Sequence, residues 1–456
     1  MTEPERKPGR RVRSSSPALN RLFASRDRHP WLAPAALLFC WLTALAFILP
    51  YDPDEAVYKI VAHGIVHGQW PYRDLFDHKP PLIYIWYLPA GLGATLELQR
   101  VIAAAVTAAS VPFVARLARR SLTGRSVKVA PWAYCLLLGN PLLAVGANAE
   151  AFVLLPLLAA IATPSAWLAG ALFGVAIMTK TSAAAFAPLM LFLWRRQSWQ
   201  VVLTASTLCA VVSLPFAPIW RDYWNDAVTF NASYSSYANR DSISRLVLIE
   251  PSVLLGALPL WLAAIIGAFK LRSGAAWVCA ACAILSVKAT SYDFAHYYAL
   301  LAAPAALLAA AGLEFPLAGT PRRAGLAALT VVALATSISG LYFAERSRHA
   351  YDGLTEVVSR EAGEVYMLGD HSQVYEYVSR RPRRTWFFAV PLVVRPRWGE
   401  QARLDLLDCP PDVLIVSNDS LFQVAWTADL EALYANRVDF EPADVFTNPI
   451  KHCETY

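Results

Sequence analysis

The chain has 456 residues, of which 56% are hydrophobic and only 16% are charged. In ordinary soluble domains about a quarter of the residues are charged. The charges are concentrated at the two ends, and the long region between them is apolar enough to lie in a bilayer. This composition excludes a cytosolic enzyme and a secreted disulfide scaffold. The net charge of +6 indicates membrane topology rather than a basic face, so we expect no nucleic-acid partner.

The N-terminal segment and the first apolar stretch set the expected orientation of the chain. Residues 1–30 contain eight basic and three acidic residues and no apolar face, which is typical of a disordered tail left in the cytoplasm. Residues 31–50 form an apolar run long enough for one crossing. The run continues past Ala44–Ala46, which resembles a signal-peptidase site, so we expect a retained helix rather than a cleaved signal.

One more crossing must separate this helix from the next basic loop, because the positive-inside rule places Arg116–Lys128 in the cytoplasm. Two apolar segments compete for that crossing. Residues 81–96 are short, begin near a Pro-Pro pair and are rich in interfacial aromatic residues, so they predict a helix that lies on the outer surface. Residues 98–117 then form the second span.

The remaining apolar segments alternate across the bilayer and complete an α-helical polytopic membrane domain of about eleven transmembrane helices. This domain covers residues 31–343 and includes an outer loop, 51–97, that carries interfacial helices. Basic pairs such as Arg195-Arg196 and Arg322-Arg323 then fall in the cytoplasm. The expected spans after the second are 130–147, 151–164, 166–179, 182–194, 199–219, 251–269, 274–290, 297–313 and 324–343.

The C-terminal residues 344–456 are expected outside the cytoplasm as a small α/β domain. Short β-rich runs alternate there with segments of helical character. Cys409 and Cys453 would lie in an oxidising compartment, where a disulfide and two free thiols are both open alternatives. The predicted elements are strands at 364–368, 385–390 and 412–416 and helices at 372–379 and 421–436.

Three carboxylates directly follow the first span. Asp52, Asp54 and Glu55 lie so close to an apolar helix end that they are costly unless they are solvated, bound to a metal or functional. The alternative is structural: Asp54 would cap a helix over 55–68, with Glu55 in its first turn. Both interpretations stay open from these residues alone.

A second charged cluster follows on the same side of the membrane. It contains Asp74, Asp77, His78 and Lys79, directly before the Pro-Pro pair. Lys79 could hold an anionic group of a substrate, or it could extend its ammonium to a lipid headgroup. The cluster therefore has a functional and a structural interpretation.

Two further charged residues lie in apolar surroundings. Glu150 stands at the outward end of the third expected span, and Lys180 closes a short span. Ionisable residues of this kind are functional candidates, although a lysine near the interface can also extend toward water. All these features fall on the outer face in an assignment made from charge alone. Converging carboxylates and lysines suit a phosphate-linked lipid substrate, because its leaving group needs positive charge and its acceptor hydroxyl needs a base.

The order of these features resembles the C-type glycosyltransferase (GT-C) superfamily. The similarity is to the branch of dolichyl-phosphate-mannose protein mannosyltransferases and aminoarabinose transferases, and it covers about residues 31–345. It implies a GT-C membrane fold and transfer of a sugar from a polyprenyl-phosphate donor. The features that carry it are the basic tail, the first span, Asp52–Glu55, Lys79-Pro80-Pro81, Glu150 and Lys180, with further similarities at Asp293–Tyr298 and 365–382.

The resemblance also implies roles for particular residues. Asp54 matches an aspartate that acts as catalytic base or orients the acceptor, with Glu55 beside it. Glu150 matches a second catalytic acidic residue that can share a divalent cation with Asp54. The remaining matches are to the donor phosphate site, namely Lys79, Lys180 and His78, the last of which replaces an acidic residue of many relatives.

The need for a divalent cation is open. Asp54 and Glu150 offer oxygen ligands suited to magnesium, manganese or calcium, whereas zinc would need histidine ligands such as His63 and His67. Some branches of the superfamily work with a divalent ion and others without one. We favour a cation that bridges the two carboxylates, since these would otherwise repel each other. The alternative is that the two lysines neutralise the same charge.

We therefore expect an inverting glycosyltransferase in the cell membrane, multi-pass with a cytoplasmic N terminus. It would move a sugar from a polyprenyl-phosphate donor to an extracytoplasmic acceptor, which could be a lipid, a polysaccharide or a protein. Two other classes are compatible with charges on an outer face: a transporter or flippase of polyprenyl-linked sugars, and a non-catalytic glycan-binding protein. The asymmetric loops and the outer domain favour the transferase.

Overall fold

The structure of the chain is a computed structural model. Most of the predicted disordered tail, 1–30, lies outside the described residues. Cys409 is disulfide-bonded, but its predicted partner Cys453 also lies outside them, so the pairing stays a prediction. The described residues are 29–143, 146–238, 251–271, 274–288, 294–313, 320–361, 363–369, 371–417, 426–439 and 443–449.

Apolar helices make up most of the described chain, and this confirms the polytopic α-helical fold class. Short apolar helices can cross a bilayer that thins around them, so the number of crossings cannot be read from helix length alone. The predicted number of about eleven transmembrane helices stays a prediction. Within the described ranges, four helical segments are long and apolar enough to cross a membrane: Leu96–Ser121, Ser198–Tyr234, Ala295–Leu313 and Ala327–Ser359. The shorter apolar helices are Leu32–Ala46, Ser126–Leu138, Ala149–Ala162, Ala166–Thr179, Thr181–Leu193, Leu258–Lys270 and Gly274–Lys288.

Most predicted spans correspond to one helix or to two consecutive helices. Some of the segments named above consist of more than one helix, and further helices lie between them. These individual helices of the described membrane region are Pro53–Val66, Leu82–Trp86, Leu88–Gly91, Leu96–Ala109, Val111–Ser121, Ala187–Leu193, Ser198–Ser213, Trp220–Trp224, Asn231–Ala238, Pro251–Gly256, Ala302–Leu313 and Thr320–Arg348. Tighter 3₁₀ turns lie at Pro141–Leu143, Thr181–Phe186, Leu214–Ile219 and Ala295–Leu301, and a π-helical turn lies at Asn225–Phe230.

The segment expected on the outer surface, 81–96, forms two short helices, Leu82–Trp86 and Leu88–Gly91, rather than one. Both are far shorter than the roughly 20 residues that a crossing needs. Gly91 packs directly on the preceding helix, since a β-carbon there would meet the carbonyl carbon of Ala62 at 2.7 Å. The segment is thereby held against the Pro53–Val66 helix.

The C-terminal residues form a small α/β unit, as predicted. Strand β1 pairs with β2 in parallel, while β2 with β4 and β3 with β4 are antiparallel, so the described strands have the order β1-β2-β4-β3. The parallel pair needs a crossover connection, which the helices between β1 and β2 supply. The strands are β1 Val365–Leu368, β2 Val413–Ser417, β3 Tyr434–Val438 and β4 Ala443–Pro449, and the helices are Asp352–Ser359, Val374–Tyr377, Ala389–Val394, Pro396–Asp408 and Thr427–Glu431.

Two predicted elements of this unit are wrong. Residues 385–390 do not form a strand, because 385–388 are irregular and a helix, Ala389–Val394, follows. Their aromatic side chains favour strands, but that preference depends on packing, and here Phe388 packs on Phe76 of the outer loop with ring centroids 5.8 Å apart. The expected helix 421–436 ends at Glu431, and its last residues belong to β3; residues 421–425 lie outside the described part.

The α/β unit docks on the outer loop of the membrane region. Lys59 forms an ion pair with Glu376 at 2.5 Å, and both side chains are nearly buried. The Ser372 hydroxyl donates to the Pro53 carbonyl at 2.8 Å. These contacts place the unit over the N terminus of the Pro53–Val66 helix.

Candidate active site

The N terminus of the Pro53–Val66 helix organises the first charged cluster. The Asp52 carboxylate accepts from the Asp54 amide at 2.9 Å, and the Asp52 amide donates to the Glu55 carboxylate at 3.1 Å, which together form a capping box. The alternative that Asp54 caps a helix over 55–68 is therefore wrong. Pro53 suits the first helical position, so the helix begins there. The Asp54 carboxylate is not part of the capping box and can contact other groups.

Glu55 is fully buried in an ion pair. The Arg100 guanidinium donates to both of its carboxylate oxygens at 2.6–3.0 Å, and the Ala147 amide donates to Oε1 at 2.6 Å. Gly146 permits this approach, because its φ is +46° and a β-carbon there would lie 2.5 Å from Glu55 Oε1. The carboxylate is thus fully engaged by the protein, which does not fit the catalytic role expected for Glu55.

Lys79 and Asp54 form the polar centre of the site. The Lys79 Nζ lies 3.4 Å from Asp54 Oδ2 and 3.3 Å from His78 Nε2. The Tyr58 hydroxyl donates to the same Asp54 oxygen at 3.0 Å. The Asp54 side chain is 31% exposed, whereas Lys79 is buried. The ammonium of Lys79 is therefore directed to a carboxylate of the protein, and the lipid-headgroup alternative does not fit.

Asp77 is a buried carboxylate beside this pair. It accepts from the Tyr84 hydroxyl at 2.9 Å and from the His78 amide at 2.6 Å. Its Oδ1 also lies 3.4 Å from Nδ1 of His78. Asp77 therefore holds the backbone of His78, while among the described residues the Nδ1 of that imidazole has no hydrogen-bond partner.

Glu150 and Lys180 form a second buried ion pair. Glu150 lies in the first turn of the Ala149–Ala162 helix, where the helix dipole favours a carboxylate. The Lys180 Nζ also lies 3.8 Å from the ring centroid of Tyr297, within cation–π range. Lys180 is thus held by a carboxylate and by an aromatic ring.

A cavity of about 130 Å³ lies in front of Asp54 and Lys79. It is smaller than the roughly 300–1,000 Å³ of typical ligand pockets, so it suits a single phosphate or sugar group while a lipid chain would lie outside it. Neither Glu150 nor Lys180 is among the described lining residues. These are Asp52, Pro53, Asp54, Val57, Asp77, His78, Lys79, Tyr234, Phe294, His296, Tyr297, Ser372, Phe388 and Val390.

The electrostatics of the outer loop favour a charged Asp54–Lys79 pair. Burial alone would raise the pKa of Asp54, but the Lys79 ammonium holds it below its ordinary range. Burial likewise opposes the charge of Lys79, and the carboxylates of Asp54 and Asp77 raise the pKa of Lys79 above its usual value. Burial raises the pKa of Asp77 to about 6. Asp54 is therefore ionised at neutral pH, whereas the pKa of Asp77 lies close to neutral pH.

The positions of the expected metal ligands do not fit a bridging cation. Asp54 faces the ammonium of Lys79, and Glu150 faces that of Lys180. A dication at either carboxylate would meet a positive charge at once. Among the described residues, no three His, Cys, Asp or Glu side chains are grouped so that they could hold a metal ion.

Several residues of this region had no role in the sequence-based prediction. Arg100 could have been identified, because an arginine in an apolar helix requires a partner. His296 belongs to the Asp293–Tyr298 run, whose similarity was seen without a role. Ser372 and Phe388 reach the cavity only because a distant unit docks there, and no local signal marks them.

The fold is similar to that of solved membrane transferases. The crystal structure of ArnT from Cupriavidus metallidurans bound to undecaprenyl phosphate matches with a TM-score of 0.55 and 16% identity, over 92% of this chain and 98% of that one. Two crystal structures of the Archaeoglobus fulgidus oligosaccharyltransferase match with a TM-score of 0.50. The form tethered with an acceptor peptide has 11% identity and the apo form 14%, over 86% and 85% of this chain and 70% of each of theirs.

No family model matches the chain, and no curated protein matches it. The structural similarity nevertheless extends over most of the chain and includes both the membrane region and the α/β unit. The chain therefore shares the fold of these solved structures, and this confirms the fold that the resemblance implied.

Proposed function

We propose that the chain is a membrane glycosyltransferase that moves one sugar from a polyprenyl-phosphate donor to an acceptor outside the cytoplasm. The observation that carries the proposal is the buried Lys79 ammonium beside the Asp54 carboxylate in one cavity under the α/β unit. Such a site offers positive charge for a phosphate and a group that accepts a proton. The similarity in fold to ArnT bound to undecaprenyl phosphate supports a lipid phosphate as the donor.

The proposed reaction is a single displacement with inversion at the anomeric carbon. An oxygen of the acceptor forms a bond to C1 of the sugar while the bond between C1 and the phosphate oxygen breaks. The electron pair of that bond leaves on the polyprenyl phosphate, and the acceptor proton passes to Asp54. Lys79 stabilises the negative charge that develops on the departing phosphate.

The pKa of Asp54 suits this role only once the donor is bound. A carboxylate paired with an ammonium is a weak base. When a phosphate engages Lys79, the ammonium is shared between two anions, and the pKa of Asp54 rises toward its ordinary value. Proton acceptance by Asp54 is thereby coupled to occupancy of the donor site.

The Glu150–Lys180 pair is assigned a supporting role. Tyr297 stands between Lys180 and the cavity, since it lines the cavity and contacts the ammonium. The pair therefore holds the wall that carries Tyr297, and breaking it would leave a buried charge without a partner. Lys79, positioned by His78, would stabilise the phosphate without a divalent cation.

The orientation follows from the charge of the loops. Basic loops mark the cytoplasmic side, so the site lies on the outer face, with the N terminus in the cytoplasm. The membrane domain, 31–343, and the outer domain, 344–456, would then face each other across the cavity. The acceptor would enter from outside the cell membrane.

The proposal is tested by transfer of a radiolabelled sugar from a polyprenyl-phosphate donor to membranes of cells that lack the endogenous protein. Asp54→Asn should lower the rate by about 10²- to 10⁴-fold, the usual cost of losing a general base. Asp74→Asn is the matched control, because Asp74 is paired with Arg73 outside the cavity. Full transfer by Asp54→Asn would refute the proposal, as would equal losses in both variants.

A further inference from the structure

His296 is a buried histidine of the cavity, and one of its two ring nitrogens has no partner in the described part of the chain. It lies in the 3₁₀ turn Ala295–Leu301, and only 8% of the residue is exposed. Its ring is stacked against Phe294, with centroids 5.8 Å apart, and meets Tyr297 edge-on at 4.8 Å. Within the described ranges, its Nε2 has no hydrogen-bond partner.

Among the described residues, one other histidine nitrogen shares this situation, the buried Nδ1 of His78, and His78 lines the same cavity. The Nδ1 atoms of His63 and His67 lie within hydrogen-bond distance of backbone carbonyls. Those of His349 and His371 lie beside a carboxylate and a hydroxyl. A buried polar nitrogen without a partner costs free energy, so one that lines a cavity indicates a ligand atom that completes it.

The cavity that His296 lines combines the carboxylates of Asp52, Asp54 and Asp77 with one ammonium, so an anionic ligand would lie against the lysine. Lys79 lines the same cavity, and a phosphate there would have this ammonium on one side. The second lysine expected at the phosphate, Lys180, is engaged by Glu150 and shielded by Tyr297. The cavity also contains two histidines, His78 and His296, and an imidazole N–H can donate to a phosphate oxygen. His78 already meets Lys79 through its Nε2, so His296 is the histidine that would add a donor from a second element.

We propose that His296 Nε2 donates a hydrogen bond to the donor phosphate, a role that the resemblance implied for Lys180. This inference rests on the proposed function, because it specifies which residues hold the polyprenyl phosphate of that reaction. The aromatic contacts from Phe294 and Tyr297 keep the ring in position before the donor arrives. The phosphate site then consists of Lys79 from the outer loop and His296 from the 3₁₀ turn Ala295–Leu301, which comes late in the sequence of the membrane region.

Binding of two lipids to the purified full-length protein in detergent tests the inference. Undecaprenyl phosphate carries the phosphate, whereas undecaprenol has the same chain without it. His296→Ala should weaken binding of undecaprenyl phosphate about ten- to a hundred-fold, the usual range for a hydrogen bond to a charged group, and leave undecaprenol binding unchanged. His296→Gln, whose amide can reach the position of Nε2, should restore part of the affinity.

The controls separate this inference from its neighbours. His349→Ala should bind both lipids as the wild type does, because His349 is exposed and pairs with Asp352. Equal loss of both lipids in His296→Ala would indicate a packing role and overturn the inference, as would unchanged binding of undecaprenyl phosphate. If the folded wild type binds undecaprenyl phosphate no better than undecaprenol, the proposed function itself fails.

Discussion

The ion pair between Glu55 and Arg100 should be required for stability rather than for chemistry. Arg100→Met would leave the Glu55 carboxylate, which is 0% exposed, without its countercharge. It would also remove hydrogen bonds of 2.8 and 2.5 Å to the carbonyls of Leu49 and Pro50. Breaking a buried pair by removing one partner costs about 3–5 kcal/mol, so we expect a loss of that size.

The double variant Glu55→Gln with Arg100→Met isolates the contribution of the unpaired charge. Because it buries no ionised carboxylate, it should be more stable than Arg100→Met alone, although two charges have been removed. Thermal unfolding in detergent, followed by tryptophan fluorescence, compares the wild type, both single variants and the double variant. A wild-type unfolding temperature for Arg100→Met would refute this reasoning. Loss of transfer by Glu55→Gln at an unchanged unfolding temperature would return Glu55 to catalysis.

Three other predictions concern the same region. Gly146→Ala should lower the unfolding temperature, because the new β-carbon would press on Glu55 Oε1, and a wild-type transition would contradict this. Lys79→Met should move the acid limb of the pH–rate profile to higher pH, since the pKa of Asp54 rises when burial acts without the ammonium; an unmoved limb would argue against the pair. Exhaustive chelation should leave transfer undiminished, whereas a loss restored by one added ion would show that the lysines do not suffice.

The sequence identified the charged residues of the site more reliably than their contacts. Lys79, Glu150 and Lys180 stand out because ionised groups in apolar surroundings need a compensating partner. The pairing of Glu150 with Lys180 joins residues 30 positions apart, one at the start of a helix and one directly after the next helix, and depends on how these helices pack. The positions of these residues do not fit the expected bridging cation for the same reason: each carboxylate has a nearby ammonium, which no spacing along the chain reveals.

The α/β unit shows where local sequence patterns do not predict the observed structure. Strands β1 and β2 were predicted correctly, because all their residues are buried and such strands have continuous apolar runs. Tyr434–Val438 is an edge strand with four of its five residues exposed, so its sequence lacks that signal. The irregular stretch that ends at Phe388 is held by docking on the outer loop, which only the folded chain defines.

The central claim is that the chain breaks the bond between a sugar and a polyprenyl phosphate at the site of Asp54 and Lys79. The most direct measurement reconstitutes the purified protein in liposomes with a donor labelled in the sugar and follows both products. We expect one free polyprenyl phosphate for each sugar that reaches an acceptor, and both products formed about 10²- to 10⁴-fold more slowly with Asp54→Asn. Movement of intact donor across the bilayer without cleavage would contradict the claim and indicate a transporter.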